Sequence, residues 1–400
     1  MKKVLFTQTE GGKGFYLLLA ILGAIIGVGL LGTFHMEHNG HWVTGMNQQI
    51  VWGIPHVFAI FLIVAASGAL NIASIGSVFG KKIYKPLGRL SALVAIALLT
   101  GGLAILVLDL GRPDRLIIAM THYNFRSIFA WNMIFYNGFF AIVGIYIWTM
   151  MEKRMNPYSA KVGLAAFIWR LALTTATGSI FGFLVARQGF DAAIMGPMFV
   201  VMSFAYGLAF FWLVLNASYR MTGRELGGVM TKRLKNLLGV FVAGALYFTI
   251  VMHLANLYAA EHKGVEDFIL NSGGIYTTLF WYGQILIGAI IPLAILYYPA
   301  TGNSRCGVTF ASLLVVLGGI AQMYVTVVGG QAYPLVLFPG HEVSSTFADG
   351  VINSYSPTLS EFLLGIMGIA LTLALVAVAV RNLRFMPASL ADSVADPHSK

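Results

Sequence analysis

Apolar residues run along this chain in long unbroken stretches, with no alternation of apolar and polar positions. Ten stretches fall at 14–33, 52–79, 88–109, 127–150, 162–186, 195–219, 236–259, 276–298, 306–328 and 358–380. Each is close to the ~20 helical residues that cross a ~30 Å hydrocarbon layer. Backbone polar groups find no partner in lipid, so such stretches must satisfy their own hydrogen bonds as helices. A membrane β-barrel would instead show alternating segments of about ten residues. The pattern therefore predicts an all-α, polytopic transmembrane bundle of about ten helices. It forms a single integral membrane domain over 1–400, with residues 381–400 as a cytoplasmic tail. The first stretch follows Met-Lys-Lys, but its apolar core exceeds the roughly 7–15 residues of a secretory signal and no clear cleavage site follows. It is read as the first membrane helix.

Composition agrees. The chain of 400 residues is 58% hydrophobic and only 10% charged, with mean hydropathy +0.80; soluble domains carry about 25% charged residues. The net charge of +10 raises nucleic acid as a partner, but the basic residues sit in short segments between apolar runs, not on one face. Their placement sets orientation. With the N-terminus inside, the inner segments hold nineteen Lys and Arg and the outer ones five, with Arg170 inside a helix. That bias predicts both termini on the cytoplasmic side of a prokaryotic inner membrane.

One cysteine, Cys306, excludes an internal disulfide and a cluster held by about four thiolates of this chain. No phosphate loop, dinucleotide fingerprint or hydrolase nucleophile motif is present. The outer segment 34–50 carries His35, His38 and His41 but no Lys or Arg, and is expected to be a solvated loop without metal-site spacing. The outer segment 329–357 is longer than most ordered connections, which suggests docking or function. Gly23 and Gly27 form a small-xxx-small pattern read as helix packing. Leu70-Asn71-Ile72-Ala73-Ser74 closing helix two is echoed by Leu215-Asn216-Ala217-Ser218 closing helix six. Two similar four-helix bundles would produce that echo, and so would chance in so biased a composition.

Candidate chemistry gathers at the outer ends of helices two to four. Helix two opens Trp52-Gly53-Ile54-Pro55-His56; helix three closes Leu108-Asp109-Leu110-Gly111-Arg112-Pro113-Asp114-Arg115; His122-Tyr123-Asn124-Phe125-Arg126 leads to Trp131 and Asn132. Ionisable groups near the membrane are costly unless paired, so His56 and Asp109 are functional candidates. Oxidising a quinol releases two electrons and two protons, and a His and an Asp suit the proton work. The plainer alternatives are a helix stop at Gly111 and Pro113, Asp109 paired with Arg112 or Arg115, and Trp52 as an interface anchor. His56 and His253 could also ligate a b-type haem from facing helices. Arg170 and Glu361 could serve a proton route or pair with neighbours. A secondary transporter, often built from repeats, is a further alternative.

The run Val107-Leu108-Asp109-Leu110-Gly111-Arg112-Pro113 and the Trp-Gly-x-Pro opening of helix two resemble the NrfD/polysulfide reductase membrane-subunit family, in its longer, HybB-like branch of ten helices. The start Gly11-Gly12-Lys13-Gly14-Phe15-Tyr16 and the segment from Val43 to Gly53 look most like DsrP, of the membrane complex accompanying dissimilatory sulfite reductase. The resemblance implies quinone chemistry near the outer surface, with menaquinone or ubiquinone as substrate and no iron–sulfur cluster or haem of the chain's own. It implies electron exchange with an outer-side, ferredoxin-like iron–sulfur subunit, beside other membrane and cytochrome subunits of a Dsr-type complex. His56 and Asp109 become the residues expected to move protons, with Trp52, Arg112 and Asn124 as further quinone contacts.

Overall fold

Every expected span becomes a helix. The computed structural model describes residues 4–335, 341 and 350–395. Among them, ten helices are long and apolar enough to cross a membrane: α1 (Lys13–Asn39), α2 (Ile54–Ser77), α3 (Lys82–Leu108), α4 (Ile128–Met151), α5 (Asn156–Gly182), α6 (Met195–Met221), α7 (Gly228–Tyr258), α8 (Ile275–Tyr297), α9 (Arg305–Ala332) and α10 (Leu359–Asn382). The chain is a multi-pass membrane protein.

Helices overrun the apolar stretches where polar residues continue the winding. α1 runs on through His35 and His38, so these stand on a helix and not in the expected loop. α7 begins about two turns before 236, carrying Lys232, Arg233 and Lys235 into the helix. Apolarity stops at the hydrocarbon edge, but the helical hydrogen-bond pattern does not. Much of the segment 329–357 lies outside the described residues; α9 takes its first four.

Helices α2–α5 form one four-helix group and α6–α9 another. The groups meet where α2 crosses α6, and α10 packs on α2 and α3 with α1 outside it. The crossing depends on glycine. A Cβ on Gly68 would stand 1.5 Å from the Ser203 carbonyl oxygen, and one on Gly207 2.2 Å from the Ala69 nitrogen. Small residues let backbones approach where lipid supplies no hydrophobic drive. The α1–α10 contact corrects a sequence reading. Gly23 and Gly27 face open space, whereas a Cβ on Gly29 would stand 2.4 Å from Met367 Cβ and one on Gly32 3.2 Å from the Ser360 carbonyl oxygen.

The sequence echo has a structural counterpart. Asn71 of α2 accepts a hydrogen bond from Arg170 Nη2 of α5 at 2.8 Å. Asn216 of α6 donates to Thr309 of α9 at 3.0 Å. In each group, this asparagine of the first helix ties down the fourth. Arg170 is fully buried, and Phe167 and Phe204 lie against its guanidinium.

Both ends of the described chain lie at one end of the bundle, as an even number of spans requires. Phe6–Thr7 and Met386–Pro387 form an antiparallel pair of two-residue strands. The tail expected at 381–400 is folded in its described part. Asp392 accepts hydrogen bonds from the backbone of Gly228 at 3.2 Å and Val229 at 3.0 Å, capping the start of α7.

Candidate functional site

The turn from extended chain into α2 decides where two of the expected residues stand. Trp52 precedes the helix, Gly53 is its N-cap, and Pro55 occupies the first turn, where its missing N–H costs nothing. His56 therefore projects from the first turn. Asp109 is the C-cap residue of α3, which packs beside α2 at the same end. His56 Nδ1 lies 2.9 Å from Asp109 Oδ2, with the Asp109 side chain fully buried and that of His56 21% exposed.

This is an ion-pair distance, yet no hydrogen bond closes it. Among the described residues, five buried side-chain atoms lack a hydrogen-bond partner in the protein: His56 Nδ1, both carboxylate oxygens of Asp109, His41 Nε2, and Arg170 Nε elsewhere. His41 belongs to the same place, because its ring lies against Gly111 of the turn after Asp109, 3.6 Å from where a Cβ would sit. Four of the five lie around the turn that follows Asp109.

Aromatic rings wall it. Trp52 lies 6.2 Å from the His56 ring, centroid to centroid, and 6.0–6.1 Å from Phe129, Phe181 and Phe190. Phe129, on α4, is 43% exposed, so the wall reaches the surface of the bundle.

The remaining expected contacts are engaged elsewhere. Arg112 is exposed and holds Asp114 through two hydrogen bonds, at 2.9 and 2.8 Å. Those bonds push the guanidinium above its ordinary value and draw the Asp114 carboxyl below its own. The alternative of Arg112 neutralising Asp109 is not what the chain adopts. Asn124 is exposed and accepts from the Arg126 backbone at 3.1 Å, shaping the turn into α4. Asn132 joins α4 to α5 through the Ala176 carbonyl and Thr177.

Sequence reading missed the residues that hold Trp52. Gln331, at the end of α9, accepts from the backbone of Val51 and Trp52, each at 3.0 Å, and donates to the Trp52 carbonyl at 3.0 Å. Arg187 bridges the Gln331 and Gln49 carbonyls at 3.0 and 2.9 Å, and burial lowers its proton affinity. Tyr355 donates to Glu361 at 2.8 Å and accepts from the Ile54 backbone at 2.7 Å. Burial pushes the Tyr355 hydroxyl up, which keeps it a donor. Glu361 is fully buried and accepts from Gly45, Thr358 and Tyr355, closing a capping box on α10. Of its two sequence readings, the structure shows pairing with neighbours. The sequence sign was the intramembrane charge of Glu361; Gln331 carried none.

The two histidines considered for haem belong to different four-helix groups. His253 Nδ1 is 2.6 Å from Glu266 Oε2, as His56 Nδ1 is turned to Asp109.

Comparison with known proteins places these features in context. The family model described as polysulphide reductase, NrfD, matches residues 42–334. The Hdr-like menaquinol oxidoreductase integral membrane subunit of Archaeoglobus fulgidus is 28% identical over 395 residues, covering 98% of this chain and 99% of that one. The menaquinone reductase integral membrane subunit of Nitratidesulfovibrio vulgaris is 23% identical over 404 residues, covering 93% and 92%. Protein NrfD of Escherichia coli is 21% identical over 275 residues, covering 62% and 84%.

Proposed function

The chain belongs to the polysulphide reductase, NrfD family, and on that footing we propose that it binds a quinone of the membrane pool between Trp52 and the His56–Asp109 pair. The observation that carries this reading is the buried His56–Asp109 pair, 2.9 Å apart and without a hydrogen bond to the rest of the protein, beside an aromatic wall that reaches the surface of the bundle. A quinol head group offers a flat ring to the aromatics and a hydroxyl donor to the Asp109 carboxylate. Oxidation removes two electrons and two protons. Asp109 accepts the first proton and His56 orients the pair or takes the second. His41, 3.7 Å from Glu37, lies beside the turn after Asp109 and forms the exit toward the outer water. Quinone reduction uses the same groups in reverse. Menaquinone is the favoured substrate, after the names of two relatives.

The electrons pass to a ferredoxin-like iron–sulfur subunit on the outer side, within a complex of the Dsr type that includes further membrane and cytochrome subunits. No cluster ligands come from this polypeptide itself. Arg112 and Asn124 support the turns that frame the site.

The test is quinol-dependent electron flow in the assembled complex. Asp109→Asn and His56→Ala should each lower turnover by about 10²–10⁴, the usual share of a proton-transfer group, with assembly intact. Two variants that assemble and turn over like the parent would sink the assignment.

A further inference from the structure

The second four-helix group holds a polar interior that the quinone site does not use. Near its centre, Tyr206 of α6, Thr249 of α7, Gln284 of α8 and Gln322 of α9 line one cavity with room of about 20 Å³ for water-molecule centres. That exceeds the ~10–15 Å³ a buried water requires, and water also needs several polar partners. They are present: Gln284 and Gln322 both donate to Thr249, at 3.5 and 3.4 Å, and Tyr206 donates to Gln322. Two helices depart from α geometry here. α8 is wound as a π-helix over Leu279–Ile290 and α9 over Val325–Gly329. π segments are usually single turns and concentrate at functional sites.

The cavity has a titratable neighbour toward the outer end. His253 stands one turn beyond Thr249 on the same face of α7. Its Nδ1 lies 2.6 Å from Glu266, whose other oxygen accepts from Asn256 at 2.8 Å. Both members of the pair are buried, with Glu266 at 1% exposure.

We propose that Glu266, His253 and the Thr249–Gln284–Gln322–Tyr206 cavity form a hydrated half-channel that carries protons between the outer face and the centre of the second bundle. A proton arriving at a Glu266 oxygen crosses to His253 Nδ1, and the imidazolium releases one from Nε2 to cavity water. Glu266 and the ring then return to their starting charge, and the reverse order serves outward release. No electron transfer is involved, and the inference stands independently of the quinone site.

The test uses the full chain in lipid nanodiscs. Brief X-ray radiolysis oxidises side chains that lie beside water. Met202, whose sulfur contacts Gln322 at 3.4 Å, is as fully buried as Met36. Met202 and Tyr206 should oxidise about tenfold faster than Met36, because Tyr206 lines the hydrated cavity and Met202 touches Gln322 of its wall. Thr249→Val with Gln322→Leu should abolish that difference by drying the cavity. His253→Leu with Glu266→Leu should abolish it by sealing the entrance, since replacing both partners leaves no orphan charge. A Met202 as unreactive as Met36 in the parent, or one unaffected by sealing, overturns the channel. Infrared spectra report the proton step: a carboxyl band that disappears in Glu266→Gln should shift at once on exchange into D₂O. A band that does not shift, or the absence of any such band from acid to alkaline buffer, overturns proton carriage.

Discussion

Asp109 was legible as a candidate from the cost of an acid at a helix end near lipid, but its partner was not. Arg112, three residues away, was as reasonable a counterion as His56 on another helix. The turn after Asp109 sends Arg112 outward to Asp114 and leaves the carboxylate facing His56. Trp52 shows the same limit, because the side chain that fixes it, Gln331, is 279 residues away. Gln331→Ala would leave the Val51 and Trp52 N–H groups unmet, at about 1–3 kcal/mol. The expected outcome is a quinol KM raised about tenfold with kcat less affected, measured in the assembled complex; an unchanged KM would count against Trp52 as a wall of the site. Gly53 is constrained more tightly. A Cβ there would meet the Tyr355 hydroxyl at 2.5 Å and Glu361 Oε1 at 2.7 Å. Gly53→Ala should lower thermal stability and quinol turnover together, whereas Gly12→Ala, in open space, should change neither.

Helices were the most readable elements, since twenty apolar residues in lipid have no other way to satisfy their backbone. Which glycine faces a neighbour was not readable, because small residues in α1 occur on several faces. Gly29→Leu should detach α1 from α10 and yield a protease-sensitive N-terminus, while Gly23→Leu should behave like the parent. Equal sensitivity of the two variants would refute this packing. The cap on α7 is likewise a tertiary feature, since Asp392 reaches it from the far end of the chain. Asp392→Ala should cost about 0.5–2 kcal/mol, as capping losses do, and lower the melting temperature without altering quinol kinetics.

Two four-helix groups joined through a glycine seam make up most of the molecule, with one His–carboxylate pair toward the same end of each group. Gly68→Ile or Gly207→Ile should prevent the groups from closing, seen as loss of monodisperse protein on gel filtration. Orientation can be checked with the native thiol. Cys306 is exposed at the start of α9, on the side assigned to the cytoplasm. An impermeant maleimide should label it in inverted vesicles and leave it untouched in intact spheroplasts; the opposite result would reverse the topology. From sequence alone came the number of spans, their helical form and the charge bias that orients them. Each follows from one solvent constraint acting locally on consecutive residues. The packing of α1, the aromatic wall and the partners of Asp109, Trp52 and Glu361 were decided only in three dimensions. There the close approach of helices, which no spacing along the chain encodes, selects which polar groups meet.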